Sequence, residues 1–127
     1  MKFDAAVIGA STAGLYSAAL LAEAGKQVGV FEKGSKGQFD RRTYIVTKGL
    51  ERVMPELDPG LVLNTITSMQ VEALDAVADI RLAKPDLVVE RSQLRKHLID
   101  RAEKAGAELF WEARFEGVAD RSGAPGV

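Results

Sequence analysis

Cysteine is absent from this chain of 127 residues, which excludes disulfides, cysteine-ligated zinc, iron–sulfur clusters and a thiol nucleophile, and fits a reducing cytosol. One histidine leaves little room for a metal site or histidine-based catalysis, so no metal is expected. No apolar run approaches the roughly 20 residues of a membrane helix. The amino terminus reads as mature protein, because Gly9 breaks its first apolar run. The expectations are therefore no membrane span and a cytoplasmic location. Neither charge sign dominates: 17 Lys and Arg against 18 Asp and Glu give a formal charge of −1, so no general basic field recruits nucleic acid. Any anion site must be local. Low-complexity tracts and long-period repeats are lacking, which excludes a solenoid. What is present is 46% hydrophobic and 28% charged, a composition of globular type, and the length predicts one domain over residues 1–127.

The first thirty-three residues form one pattern. Residues 3–8 are a short apolar run ending at Gly9, as in a strand buried on both faces of a parallel sheet. Residues 13–24 are mostly strong helix formers, and Gly25 follows as a C-terminal cap. Residues 27–32 are a second strand, reached by a connection that allows only a right-handed β-α-β crossover.

Between strand and helix lies Gly9-Ala10-Ser11-Thr12-Ala13-Gly14, a Gly-x-Gly-x-x-Gly pattern with Ser11 in the middle position. The first glycine allows the tight turn, the middle one lets backbone approach a pyrophosphate, and the last lets helix and strand pack closely. Ser11 adds a Cβ and a hydroxyl, so phosphate must stand off or accept a hydrogen bond from it. Small Ala10 and Ala13 keep space open. The amides opening the helix lack intrahelical acceptors and carry the positive end of its dipole, which favours an anion there. Glu32 follows Gly9 by 23 positions and ends the second strand, where a carboxylate can accept from ribose hydroxyls. Its charge disfavours the 2′-phosphate of NADP and leaves FAD or NAD as the ligand, although Lys33 beside it weakens that discrimination. The expected fold is thus α/β, a Rossmann-like β-α-β dinucleotide-binding domain; its plain alternative is a βα turn in a non-binding domain.

Residues 33–52 carry Lys33, Lys36, Arg41, Arg42, Lys48 and Arg52 against Asp40 and Glu51, a cationic loop on a neutral chain. Arg41 and Arg42 can fork onto phosphate, or the stretch is simply a solvated surface. Residues 43–47 are β-prone, and residues 48–57 read as a short helix stopped around Pro55. Residues 64–75 and 78–82 form a small antiparallel excursion. Residues 86–90 read as a strand leading into a helix with Ser92 as N-cap and Leu94, Leu98 and Ala102 at helical spacing. Gly106 breaks that helix, and residues 107–112 give the next strand, so the pattern predicts a second β-α-β unit. His97 reads as a surface residue, and Phe110 and Trp111 as sheet packing.

Val7 through Ala19, then Val30-Phe31-Glu32-Lys33, then Val89 through Leu98 and Ala102 through Glu108, resemble the amino-terminal half of FAD-dependent oxidoreductases. Within them the chain is most similar to geranylgeranyl reductases and aromatic-ring hydroxylases of the para-hydroxybenzoate hydroxylase fold. The resemblance implies that Gly9 and Gly14 hold the FAD pyrophosphate, that Glu32 holds the adenosine ribose, and that Arg91, opening an Arg-x-x-Leu-x-x-x-Leu helix, lies near the cofactor. It carries over to Arg42 as a loop arginine near FAD. The expected cofactor-binding set is Gly9, Ala10, Ser11, Thr12, Ala13, Gly14, Glu32, Lys33, Arg42 and Arg91.

In that family the flavin takes hydride from a nicotinamide and passes electrons to an alkene or to oxygen. The family also has a substrate-binding sheet and a later Gly-Asp segment, neither of which occurs before Val127. The expectation is an incomplete parallel sheet in a truncated portion of a longer flavoprotein, with no catalytic residue assigned. NAD(P)H is the expected electron donor, and a homo-oligomer or a missing partner chain completes the picture. The alternative is a non-catalytic NAD- or FAD-binding or interaction module, one part of a split enzyme.

Overall fold

The apolar runs on either side of the alanine-rich helix become parallel neighbours. The structure is a computed structural model that describes residues 2–37 and 42–118. β1 (Ala5–Ile8) leads into α1 (Thr12–Glu23) and then β2 (Val28–Phe31), with Ala5 opposite Val28 and Ile8 opposite Phe31. Beyond a second helix-led stretch, β6 (Glu108–Phe110) lies parallel to β2 on its other side, giving the order β1-β2-β6. Alternation along the strands sets the faces. Val7 points to α1, since a Cβ on Gly14 would lie 3.3 Å from its Cγ1. On α1, Leu15, Ala18, Ala19 and Ala22 are buried, and small alanines let helix and sheet approach closely. Phe31 and Phe110 stack at 4.9 Å with Phe3 edge-on to both, and the Phe3 ring covers Gly29, where a Cβ would meet it at 2.8 Å. The expected sheet packing of Phe110 is therefore found. Gly25, at φ +78°, takes the left-handed position after α1 that L residues avoid.

Two compact units result. Residues 1–38 and 98–127 contribute to the first, and residues 39–97 to the second. The second holds β3 (Thr43–Thr47), α2 (Gly49–Val53), a 3₁₀ turn (Pro59–Leu61), β4 (Val62–Glu72) and β5 (Val77–Glu90), with β5 central in an antiparallel sheet of order β3-β5-β4. The antiparallel excursion is as expected, with Val71 opposite Ala78 and Ser68 opposite Arg81. The short helix is there too, ending at Met54 just before Pro55.

The second β-α-β unit is not. Residues 78–82 and 86–90, read as separate strands, are one strand, β5, whose partners are both antiparallel. The helix that follows, α3 (Arg91–Ala105), leads to β6 in the other sheet. Leu87 and Val89 are buried and Val88 between them is half-buried, so Leu87-Val88-Val89 gives the same continuous apolar run as a buried parallel strand. Ser92 is likewise not the cap, since Arg91 already opens the helix and the Ser92 hydroxyl donates to the Glu90 carboxylate. Arg41 and the terminal residues 121–127 lie outside the described residues. Among those described, no helix is long and apolar enough to cross a membrane.

In the first unit Arg101 of α3 reaches α1. Its guanidinium donates to Glu23 at 2.7 and 3.0 Å and lies over the Tyr16 ring, 5.4 Å from its centroid. That hydrogen bond holds the Glu23 carboxyl below its ordinary value of 4.5, against the opposing effect of burial, with the Arg101 charge adding the smallest share. Because the folded value is the lower one, the pair stabilises at neutral pH and its contribution disappears as pH falls through that value. The stability difference between wild type and Arg101→Ala, read from urea midpoints, should therefore shrink between pH 6 and pH 3; a difference that grows on acidification contradicts the pairing. Leu98 is fully buried, and Leu98→Ala should cost about 2–5 kcal/mol in urea unfolding. A loss below about 1 kcal/mol would mean that it packs loosely.

Candidate functional site

The turn out of β1 is built from backbone that only glycine tolerates. Gly9 sits at φ +94°, and its amide donates to the Phe31 carbonyl at 2.8 Å. Gly14 lies in the first turn of α1 against that same residue, where an added Cβ would come 2.3 Å from the Gly9 carbonyl oxygen. Both glycine roles expected from the spacing are thus met geometrically, turn and close approach. Ser11, extended at φ −73° and ψ 169°, is the N-cap of α1, and its hydroxyl oxygen accepts from the Gly14 amide at 3.2 Å.

The Ser11 cap refines the expectation of bare amides at the helix tip. The Gly14 amide is held by Ser11, while the Ala10 amide donates to Glu32 Oε2 at 2.7 Å. The Thr12 and Ala13 amides remain as first-turn donors with no intrahelical acceptor. They stand at the positive end of a 12-residue helix that has no acidic residue in its first turn.

Glu32 follows directly on β2, as the spacing predicts, and its carboxylate spans two loops: Oε2 accepts from Ala10 and Oε1 from Gly34 at 2.8 Å. Its backbone is fixed on both sides, the amide to the Phe110 carbonyl at 2.8 Å and the carbonyl to the Ala113 amide at 2.9 Å. The Glu112 amide donates to the Gly34 carbonyl at 3.0 Å, so the chain after β6 runs alongside residues 32–34. Between them opens a cleft of about 360 Å³, with Ile8, Phe31 and Phe115 as apolar surfaces, Gly9 and Glu32 at the turn, and Lys33 and Arg114 as cations.

The structure brings Gly9, Ala10, Ser11, Thr12, Ala13, Gly14, Glu32 and Lys33 to one end of the parallel sheet in the first unit. Arg42 and Arg91 belong to the second unit and meet each other there. The Arg91 amide donates to the Arg42 carbonyl at 2.9 Å, and the Arg91 guanidinium lies 5.2 Å from the Tyr44 ring centroid. Arg91 does open its helix, as the resemblance implies. Sequence reasoning missed Ala113, Arg114 and Phe115, whose one signal is a basic and an aromatic residue soon after a strand. His97 Nε2 lies 3.6 Å from Glu56, and the described residues contain no group of three metal-ligating side chains.

A turn, a helix tip and a strand-end carboxylate in this order define a dinucleotide site, and the comparisons specify which. The profile described as FAD binding domain matches residues 2–124. The chain belongs to that family, and its cofactor is FAD. FixC of Salmonella typhi is 30% identical over 135 residues, covering 95% of this chain and 31% of FixC. YdiS of Escherichia coli strain K12, described as a probable electron transfer flavoprotein-quinone oxidoreductase, is 30% identical over 132 residues, 92% of this chain and 30% of YdiS. The chain spans about a third of the length of these curated relatives. The solved structure of a geranylgeranyl bacteriochlorophyll reductase-like protein from Thermoplasma acidophilum has the same fold, with a TM-score of 0.79 at 23% identity over 94% of this chain and 32% of that one.

The Gly14 contact is backbone on backbone, so Gly14→Ala should cost roughly 2–3 kcal/mol in urea unfolding. Gly25→Ala, strained in φ but with open space around it, should cost about 1 kcal/mol. Equal losses at the two positions would remove the close approach at Gly14.

Proposed function

We propose that this chain is the FAD-holding part of a longer, cytoplasmic flavin-dependent oxidoreductase of reductase or monooxygenase type, which draws electrons from NAD(P)H. The carrying observation is the Gly9–Gly14 turn, closed by the Glu32 carboxylate at the tip of α1. The residues fit the cofactor: a turn with Gly9 at positive φ and Gly14 packed on its carbonyl presents two first-turn amides, and a carboxylate stands at the strand end. The Thr12 and Ala13 amides receive the pyrophosphate oxygens, with the Ser11 hydroxyl as a neighbouring donor. Glu32 receives the ribose hydroxyls; a carboxylate offers about four acceptor positions, so holding two amides is compatible with that task. Ile8, Phe31 and Phe115 offer the adenine ring an apolar bed, flanked by Lys33 and Arg114. Arg42 and Arg91 are assigned to the cofactor from the family resemblance alone.

Bound FAD supplies the redox chemistry, accepting and releasing electron pairs. This chain's part is to bind and orient the adenine end, and no residue of it is assigned a proton-transfer role. The oxidoreductase reading draws support from the similarity to YdiS, a probable electron transfer flavoprotein-quinone oxidoreductase, and the length of the relatives supports the longer polypeptide.

Titration of the chain with FAD, followed by quenching of flavin fluorescence, should saturate at one equivalent, with NAD binding more weakly. Glu32→Ala should weaken FAD binding by about 1–3 kcal/mol, through loss of charged hydrogen bonds. Absence of saturation, or equal affinity in the variant, would remove the site or Glu32 from it.

A further inference from the structure

Two clefts in the second unit meet along Lys48 and Pro85 and share no lining residue with the cleft at the glycine turn. The first, about 490 Å³, is faced by Met54, Pro55, Leu57, Pro59, Val62 and Leu87, with Met54 and Leu87 buried as its floor. The second, about 630 Å³, is faced by Lys48, Gly49, Arg52, Ala83, Lys84 and Pro85 and has no carboxylate in its lining. Its three cations make no ion pair among the described residues. Two acids line the apolar cleft. Asp58 is turned to its own loop, accepting from the Gly60 amide at 2.8 Å, and Glu51 stands one helical turn from Lys48 on α2.

A break in the sheet shapes the junction. The β4–β5 register jumps from Ile66 opposite Asp86 to Ser68 opposite Arg81, which leaves residues 82–85 facing Thr67 alone. Pro85 has no amide to give to the ladder, and such bulges re-aim side chains beside sites. The bulge thus turns Ala83, Lys84 and Pro85 into a wall of the cleft. Three unpaired cations repel one another, and an apolar hollow next to them exposes surface to water. One ligand relieves both.

We propose that this double cleft binds an amphipathic anion, with its apolar body against Met54 and Leu87 and its anionic head among Lys48, Arg52 and Lys84. The site is independent of the FAD turn. The test is an amide chemical-shift titration of the isotopically labelled full chain with decyl phosphate below its micelle-forming concentration, beside decanol and inorganic phosphate. Decyl phosphate should saturate with shifts centred on Gly49, Ala83 and Leu87, and should bind about tenfold or more tightly than either half-probe. Arg52→Gln combined with Lys84→Gln, both exposed positions, should remove about tenfold of that affinity while leaving decanol binding and the urea midpoint unchanged. Equal affinity of decanol and decyl phosphate, equal affinity of inorganic phosphate, or an unaffected double variant would overturn the proposal. FAD binding, measured in parallel, reports on the other site alone.

Discussion

A carboxylate that holds two loops by their amides is the constraint from which the nucleotide end of this fold follows. Glu32 takes Ala10 on one side and Gly34 on the other, while its own backbone is tied to Phe110 and Ala113. The glycine turn, the end of β2 and the chain after β6 are thereby fixed to one another without any bound molecule. A charge-assisted hydrogen bond is roughly twice as strong as a neutral one, so this clasp outweighs the long Ser11–Gly14 contact at the same turn. Preorganisation of this kind lowers the ordering cost of binding.

Polarity at the helix tip follows from the same arrangement. With Ala10 drawn to Glu32 and Gly14 to Ser11, the Thr12 and Ala13 amides are the donors left for an anion. The serine in the middle glycine position is therefore a helix cap as well as an obstruction. Its oxygen occupies one amide, and its hydrogen stays available to donate.

The β-α-β turn was legible because its constraints are local. Gly9 needs its positive φ, Gly14 its missing Cβ, and Glu32 its strand-end place, and each shows as a residue type at a fixed spacing. Strand β3 and the stop before Pro55 were legible for similar reasons. The second crossover was not, because Leu87-Val88-Val89 is apolar throughout in either sheet type, and only the partner strands decide. The cleft residues Arg114 and Phe115 were hidden because they meet Glu32 through a backbone pairing of residues 32–34 with 112–113. The cationic loop was visible as a count of charges, but its meeting with Lys84 depends on a bulge that no local pattern announces.

The central claim is that amides at the tip of α1 receive a diphosphate. An amide chemical-shift titration of the labelled chain with ADP, set beside adenosine, tests it without need of the flavin ring or of any further polypeptide. The account predicts saturable shifts at Thr12 and Ala13 with ADP that adenosine does not produce. Shifts at those two amides that are the same for both ligands, or absent for both while the cleft residues respond, would contradict it.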